Sequence, residues 1–153
     1  MGSPPLVSVE PAPTFSPRTG AAARADHSRF VRRIRRRYAP ELALLPPGLP
    51  ARDAIAALIA TLQARGRALA GALRVARQLV LERLAVLDIE GGAALQDITR
   101  AMTELAEVTL GLALAQACAE QDARHGAPRN GAGARIEFWV VGMGKLGARE
   151  LNV

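Results

Sequence analysis

Between positions 51 and 122 apolar residues recur every three or four positions, the spacing that places them on one face of a helix. Ile55, Leu58, Ile59 and Leu62 predict one helix, and Gly66 is its natural break. Leu69, Leu73, Ala76, Val80, Leu84 and Leu87 predict a second, ending near Asp88 before Gly91-Gly92. Leu95, Ile98, Met102, Leu105, Ala106, Thr109, Leu112, Ala113 and Gln116 predict a third and longer one that reaches about Asp122. Each stripe is wide enough to be buried by neighbours, so the expected packing is a helical bundle.

The pattern differs on both sides of this block. Residues 1–25 carry Pro4, Pro5, Pro11, Pro13 and Pro17 and little that could offset the entropy of ordering, so a disordered tail is expected. Over 27–38, Phe30, Ile34 and Tyr38 form a narrow stripe at spacing four, with Arg29, Arg32, Arg33, Arg35, Arg36 and Arg37 around the rest. That is a short, strongly basic helix, and Pro46, Pro47 and Pro50 break the chain after it. Downstream, residues 126–134 include Pro128, Asn130, Gly131 and Gly133 and read as a flexible loop. Ile136-Glu137-Phe138-Trp139-Val140-Val141 combines aromatic and β-branched residues and is the one convincing strand. A lone strand needs partners, which the helical residues before it do not supply. The fold class is therefore mainly α: a helical subdomain over 26–125, the 126–134 loop, and over 135–153 the first strand and turn of a truncated α/β domain.

Composition agrees with this division. Of the 153 residues, 31 are Ala and 20 are Leu against five Phe, Trp or Tyr, which suits helices and argues against a β-sandwich or barrel. The length excludes a complete multidomain enzyme. Cys118 is the single cysteine, so no internal disulfide can form. The sequence has neither a signal-peptide pattern nor an apolar run long enough to span a bilayer, and a soluble cytoplasmic protein is expected. The net charge of +6 raises the question of acidic partners.

Candidate chemistry concentrates after the strand. Gly142, Gly144 and Gly147 match G-x-G-x-x-G, in which glycines permit close backbone approach to phosphate. As a dinucleotide fingerprint the motif needs an acidic residue about 20 positions later, so a truncated dinucleotide-binding protein remains one reading. Walker A is a poor fit, because Leu146 stands where Ser or Thr should follow the lysine. Nineteen of the twenty basic residues are Arg; the one Lys, Lys145, lies inside the glycine turn, where a compact ammonium can act on phosphate as a point charge. The six arginines between 29 and 37 read either as a solvated helix face or as a surface for nucleic acid or another acidic partner. His27 and His125 have no ligand-spaced neighbours, Cys118 reads as a packing residue, and Glu104 and Glu107 share a helical face as surface residues rather than metal ligands.

The run Val140-Val141-Gly142-Met143-Gly144-Lys145-Leu146-Gly147-Ala148-Arg149-Glu150-Leu151-Asn152 closely resembles the glutamine synthetase adenylyltransferase family, whose nucleotidyltransferase motif reads G-M-G-K-L-G-G-R-E-L-N. The resemblance reaches back through Leu73, Arg77, Leu84, Asp88, Ile98, Thr99, Leu105, Ala106, Leu110 and the His125-Gly126-Ala127-Pro128 loop. Ala148 replaces a family glycine, a change that costs backbone freedom more than chemistry. The resemblance implies a cytoplasmic bifunctional enzyme with two similar nucleotidyltransferase domains, one transferring AMP from ATP to a tyrosine of glutamine synthetase and one removing it by phosphorolysis. The Glu-Leu-Asn ending resembles the N-terminal, AMP-removing copy. Gly142, Gly144 and Lys145 would then help hold nucleotide or inorganic phosphate. Mg²⁺ would sit on carboxylates of a following Ser-Ser-Asp-x-Asp segment, which these 153 residues do not contain. Glutamine synthetase and a nitrogen-signalling regulatory protein are the implied partners, and neither a membrane nor nucleic acid is.

Overall fold

The computed structural model describes residues 24–152. The tail expected over 1–25 lies almost wholly outside them. Four α-helices follow one another: α1 (Arg29–Arg37), α2 (Arg52–Ala64), α3 (Leu69–Ile89) and α4 (Leu95–His125), with short 3₁₀ turns at Ala25–His27 and Leu42–Leu44. Helix α1 starts where the Ser28 hydroxyl accepts a hydrogen bond from the Val31 N–H, satisfying one of the free donors of a first turn. Helix α2 stops at Gly66, and the Arg67 N–H returns to the Leu62 carbonyl at 3.2 Å to close the last turn.

Helix α3 is the centre of the bundle and packs against α1, α2 and α4, while α2 also packs on α4. Ala72, Val75, Ala76, Leu79, Val80, Leu81, Glu82 and Leu84 are all buried on it, so it is covered over most of its circumference rather than along one stripe. Ile55, Leu58, Ile59 and Leu62 from α2 and Ile98, Ala101, Met102, Leu105 and Val108 from α4 complete the core, with Ile34 from α1. Small and branched aliphatic side chains carry the packing, as the Ala- and Leu-rich composition anticipates.

Polar bonds fix the periphery to this core. Glu82 is buried on α3 and accepts from Arg35 Nε at 2.7 Å, and the same guanidinium pairs with Asp26. The hydrogen bond to Glu82, with the field of both carboxylates, holds Arg35 protonated beyond its already high ordinary value. Glu90 accepts from the Ala25 N–H at 2.8 Å, Arg67 pairs with Glu41 at 2.6 Å, and Arg83 donates to the carbonyls of Leu45 and Pro46. The proline-rich stretch between α1 and α2 is thereby tied to α3.

Two expectations need correction. The stripe predicted along α4 as far as Gln116 is buried only to Val108; Ala113 and Gln116 are exposed and Leu112 only half-buried. Helix α4 has 31 residues against 13 in α2 and 21 in α3, and its last 17 residues run about 25 Å further at 1.5 Å per residue. The expected strand is also absent: among the described residues Ile136–Val141 belongs to no sheet, and Phe138 and Trp139 are 71% and 74% exposed. A strand is defined by a hydrogen-bonded neighbour, and beyond the single bond from Ile136 to Pro128 none is beside this segment among the described residues.

Leu79→Ala is expected to lower stability by about 2–5 kcal/mol in urea unfolding, whereas Phe138→Ala should change it by no more than about 0.5 kcal/mol. Glu82→Gln removes the charged acceptor of a partly exposed guanidinium and should cost about 1–3 kcal/mol in the same measurement.

Candidate functional site

The chain after α4 turns back on itself and runs along that helix. A tight turn makes the reversal. The Asn130 side-chain oxygen accepts from the N–H groups of Ala132 and Ala134, each at 3.0 Å, and Arg129 and Arg135 form an isolated antiparallel bridge. The Ile136 N–H donates to the Pro128 carbonyl at 2.9 Å, so the 126–134 loop is internally bonded. Three contacts then seat the returning segment on α4 at successively earlier positions. Arg135 pairs with Asp122 at 2.6 Å, Arg149 with Glu107 at 3.8 Å and Glu104 at 3.5 Å, and the Leu151 N–H reaches Thr103 Oγ1 at 3.4 Å. The bond to Asp122 raises the pKa of Arg135 above its usual value.

Between α4 and the returning segment lies a groove of about 1050 Å³. Leu110, Leu114 and Cys118 line one wall and Phe138 and Trp139 the other, with Gly142 and Gly147 at the end nearer the bundle. Cys118, expected to be a packing residue of the interior, is instead half-buried in this wall, because α4 has already left the bundle at that level.

The three glycines form one turn over 142–149. The Gly144 carbonyl accepts from Ala148 N–H at 2.9 Å, Leu146 from Arg149 at 3.2 Å and Lys145 from Glu150 at 2.8 Å. Gly144 has φ +57°, in the left-handed region. At Gly147 a Cβ would stand 2.6 Å from the Gly142 carbonyl oxygen, a distance no side chain can occupy. The motif is thus a backbone requirement of this turn. Arg149 has φ +60°, an uncommon conformation outside glycine, and its guanidinium is held by Glu104 and Glu107.

Lys145 is exposed at the rim, its Nζ 3.5 Å from Asn152 Oδ1 and without a carboxylate within 4.0 Å among the described residues. Gly142, Gly144 and Lys145 therefore lie together on one exposed turn. Glu104 and Glu107 do not form a metal site. Glu104 accepts from the Arg52 N–H at 2.8 Å and Glu107 pairs with the Arg52 side chain, besides their bonds to Arg149. No group of three His, Cys, Asp or Glu among the described residues could hold a metal ion. The Glu104/Glu107/Arg149 clasp went unread in the sequence; its signal was the pair of carboxylates three apart on a helix, which needed the returning arginine to acquire a role.

The described residues thus join a helical bundle to a glycine turn that carries Lys145, and comparison with known proteins gives the family. Residues 21–153 match the family model described as Glutamate-ammonia ligase adenylyltransferase, and the chain belongs to that family. Among curated relatives, the bifunctional glutamine synthetase adenylyltransferase/adenylyl-removing enzyme of Burkholderia mallei is 46% identical over 86 residues, 56% of this chain and 9% of that protein. The proteins of the same name from Bordetella pertussis and Ralstonia nicotianae are each 46% identical, over 54% and 57% of this chain. The match spans 9% of those relatives' length. No solved structure matches the chain.

Gly147→Ala is expected to open the turn and remove the hydrogen-exchange protection of the Ala148, Arg149 and Glu150 amides while leaving the amides of α3 protected. Ala148→Gly should leave both sets unchanged.

Proposed function

We propose that these residues are part of a bifunctional enzyme that adenylylates and deadenylylates a tyrosine of glutamine synthetase, and that they belong to its AMP-removing half. The observation that carries the reading is the glycine turn: three glycines at positions where two would not admit another residue without strain or clash, enclosing the chain's one lysine. Family membership and the names of the relatives support the same activity.

In this proposal Gly142 and Gly144 keep side chains away from the turn so that a phosphate oxygen can approach the backbone, and the Lys145 ammonium offsets its charge. An unpaired ammonium suits that task better than a buried one, because a phosphate would meet no competing carboxylate. In phosphorolysis an oxygen of inorganic phosphate bonds to the phosphorus of the adenylyl group as the tyrosine oxygen leaves, so the role of this turn is to hold and neutralise phosphate. The described carboxylates do not fit Mg²⁺: Glu104 and Glu107 are engaged by Arg52 and Arg149, and no three His, Cys, Asp or Glu gather as ligands among the described residues. The metal ligands implied by the resemblance lie in a segment that these 153 residues do not include, and no step is assigned to the metal here.

The exposed Ile136–Val141 segment fits the first strand of a nucleotidyltransferase sheet that forms when neighbouring strands are present; its aromatic and β-branched residues favour that pairing. A cytoplasmic setting, ATP or inorganic phosphate as ligands and a nitrogen-signalling regulator as partner belong to the same proposal. No helix among the described residues is long and apolar enough to cross a membrane.

In the full-length bifunctional protein, Lys145→Gln should lower removal of AMP from adenylylated glutamine synthetase by about tenfold or more through a higher KM for phosphate, with AMP transfer from ATP retained. The 153-residue chain alone should give no turnover; measurable phosphate-dependent release of ADP from adenylylated glutamine synthetase by the purified chain would overturn the assignment of its missing groups to another segment.

A further inference from the structure

The arginines of α1 have no part in the glycine site. Around this helix, Val31 and Ile34 point into the bundle and are 0% and 2% exposed. Arg29, Arg32, Arg33 and Arg36 follow the i, i+3, i+4, i+7 spacing that aligns side chains along one face. All four are exposed, on the side opposite the buried pair, and Arg37 flanks them. Arg35 alone on this helix is neutralised, by Glu82 and Asp26. Among the described residues none of the other five has a carboxylate within 4.0 Å.

The charge of the chain is concentrated here. Residues 38–152 contain twelve basic and twelve acidic side chains, and residues 1–23 contain one of each, Arg18 and Glu10. Residues 24–37 contain seven basic side chains and one acidic. The whole net charge of +6 therefore belongs to α1 and the turn before it. Glu10 by itself cannot neutralise five guanidiniums.

The surface has a definite shape. A concavity of about 610 Å³ lies among Arg29, Phe30, Arg32, Arg33 and Arg36. The Arg33 guanidinium stands over the Phe30 ring at 5.8 Å and that of Arg37 over Tyr38 at 5.5 Å. These stacks orient the cations and cover the two rings. The guanidinium face can take carboxylates two oxygens at a time, as a lysine face could not.

We propose that the exposed face of α1 is a docking surface for an acidic segment of another protein, a helix or strand that presents carboxylates over two to three turns of length. Nine helical residues span about 13 Å, enough for such a segment. A nucleic acid would extend past this stripe onto a surface that is balanced in charge, and the aromatic rings that could stack on bases are already covered by arginines. The proposal stands apart from the function assigned to the glycine turn.

The test is fluorescence anisotropy with the whole 153-residue chain and two probes: a labelled Glu-rich helical peptide with its carboxylates on one face, and a labelled DNA duplex of similar length. Two variants lose equal charge. One is R29Q/R32Q/R33Q/R36Q; the other, R65Q/R74Q/R77Q/R100Q, alters exposed arginines that make no ion pair among the described residues. The first should weaken peptide binding by about tenfold or more and the second by less than about threefold. Arg→Lys at the four α1 positions preserves charge and tests the bidentate geometry, with an expected loss of several-fold; circular dichroism verifies that each variant keeps its helices. Equal losses in the two Gln variants, no binding of the peptide, or tighter and α1-dependent binding of the duplex would each overturn the proposal.

Discussion

The burial of α3 is the constraint on which the remaining structure depends. Eight of its residues are enclosed, including an acid, so it can exist as a helix in water only when α1, α2 and α4 cover it. A 21-residue helix with so broad an apolar surface cannot be stabilised from one side. The cover is selective about charge. Glu82 lies within it because Arg35 supplies a guanidinium, and with Val31 and Ile34 buried on the same helix the other arginines face outward. A packing requirement at the centre thus produces the electrostatic character of the surface.

The same requirement explains why the second half of α4 is different. Once α2 and α3 end, α4 continues with an apolar side that no helix covers, and the returning chain takes that position. It is fastened through arginine clasps, one backbone bond and the packing of Leu151 against the edge of the core. The apolar groove left between them and the exposed Phe138 and Trp139 are two sides of one fact: this region has more hydrophobic surface than its present neighbours can bury. The glycine turn sits at the junction of the two regimes, anchored to Thr103 of the bundle at one end and open along the groove at the other.

Much of this was legible from residue order. Ile55, Leu58, Ile59 and Leu62 are buried as their spacing requires, and the breaks at Gly66 and Gly91-Gly92 fall between helices. Helical periodicity is a local signal, expressed within the segment that carries it. The strand expected over 136–141 is not formed among the described residues, for the complementary reason. Its residue types favour β structure, but the state requires a hydrogen-bonding partner, which residue type cannot provide. The stripe on α4 failed beyond Val108 because periodicity reports which side of a helix is apolar and not how far its neighbours extend.

By itself the sequence determined the helices, the glycine turn and the placement of its one lysine, since each depends on a few neighbouring residues. It also carried the family relationship, which the comparisons support over residues 21–153. Tertiary structure decided which charges are spent and which remain available. Six arginines on α1 look alike in the chain, yet one is neutralised by residues nine and 47 positions away and five face outward. Glu104 and Glu107 similarly became a clasp only when Arg149 returned to them. Electrostatic roles follow distance in space, and a linear order of residues contains that distance only after the hydrophobic core has folded it.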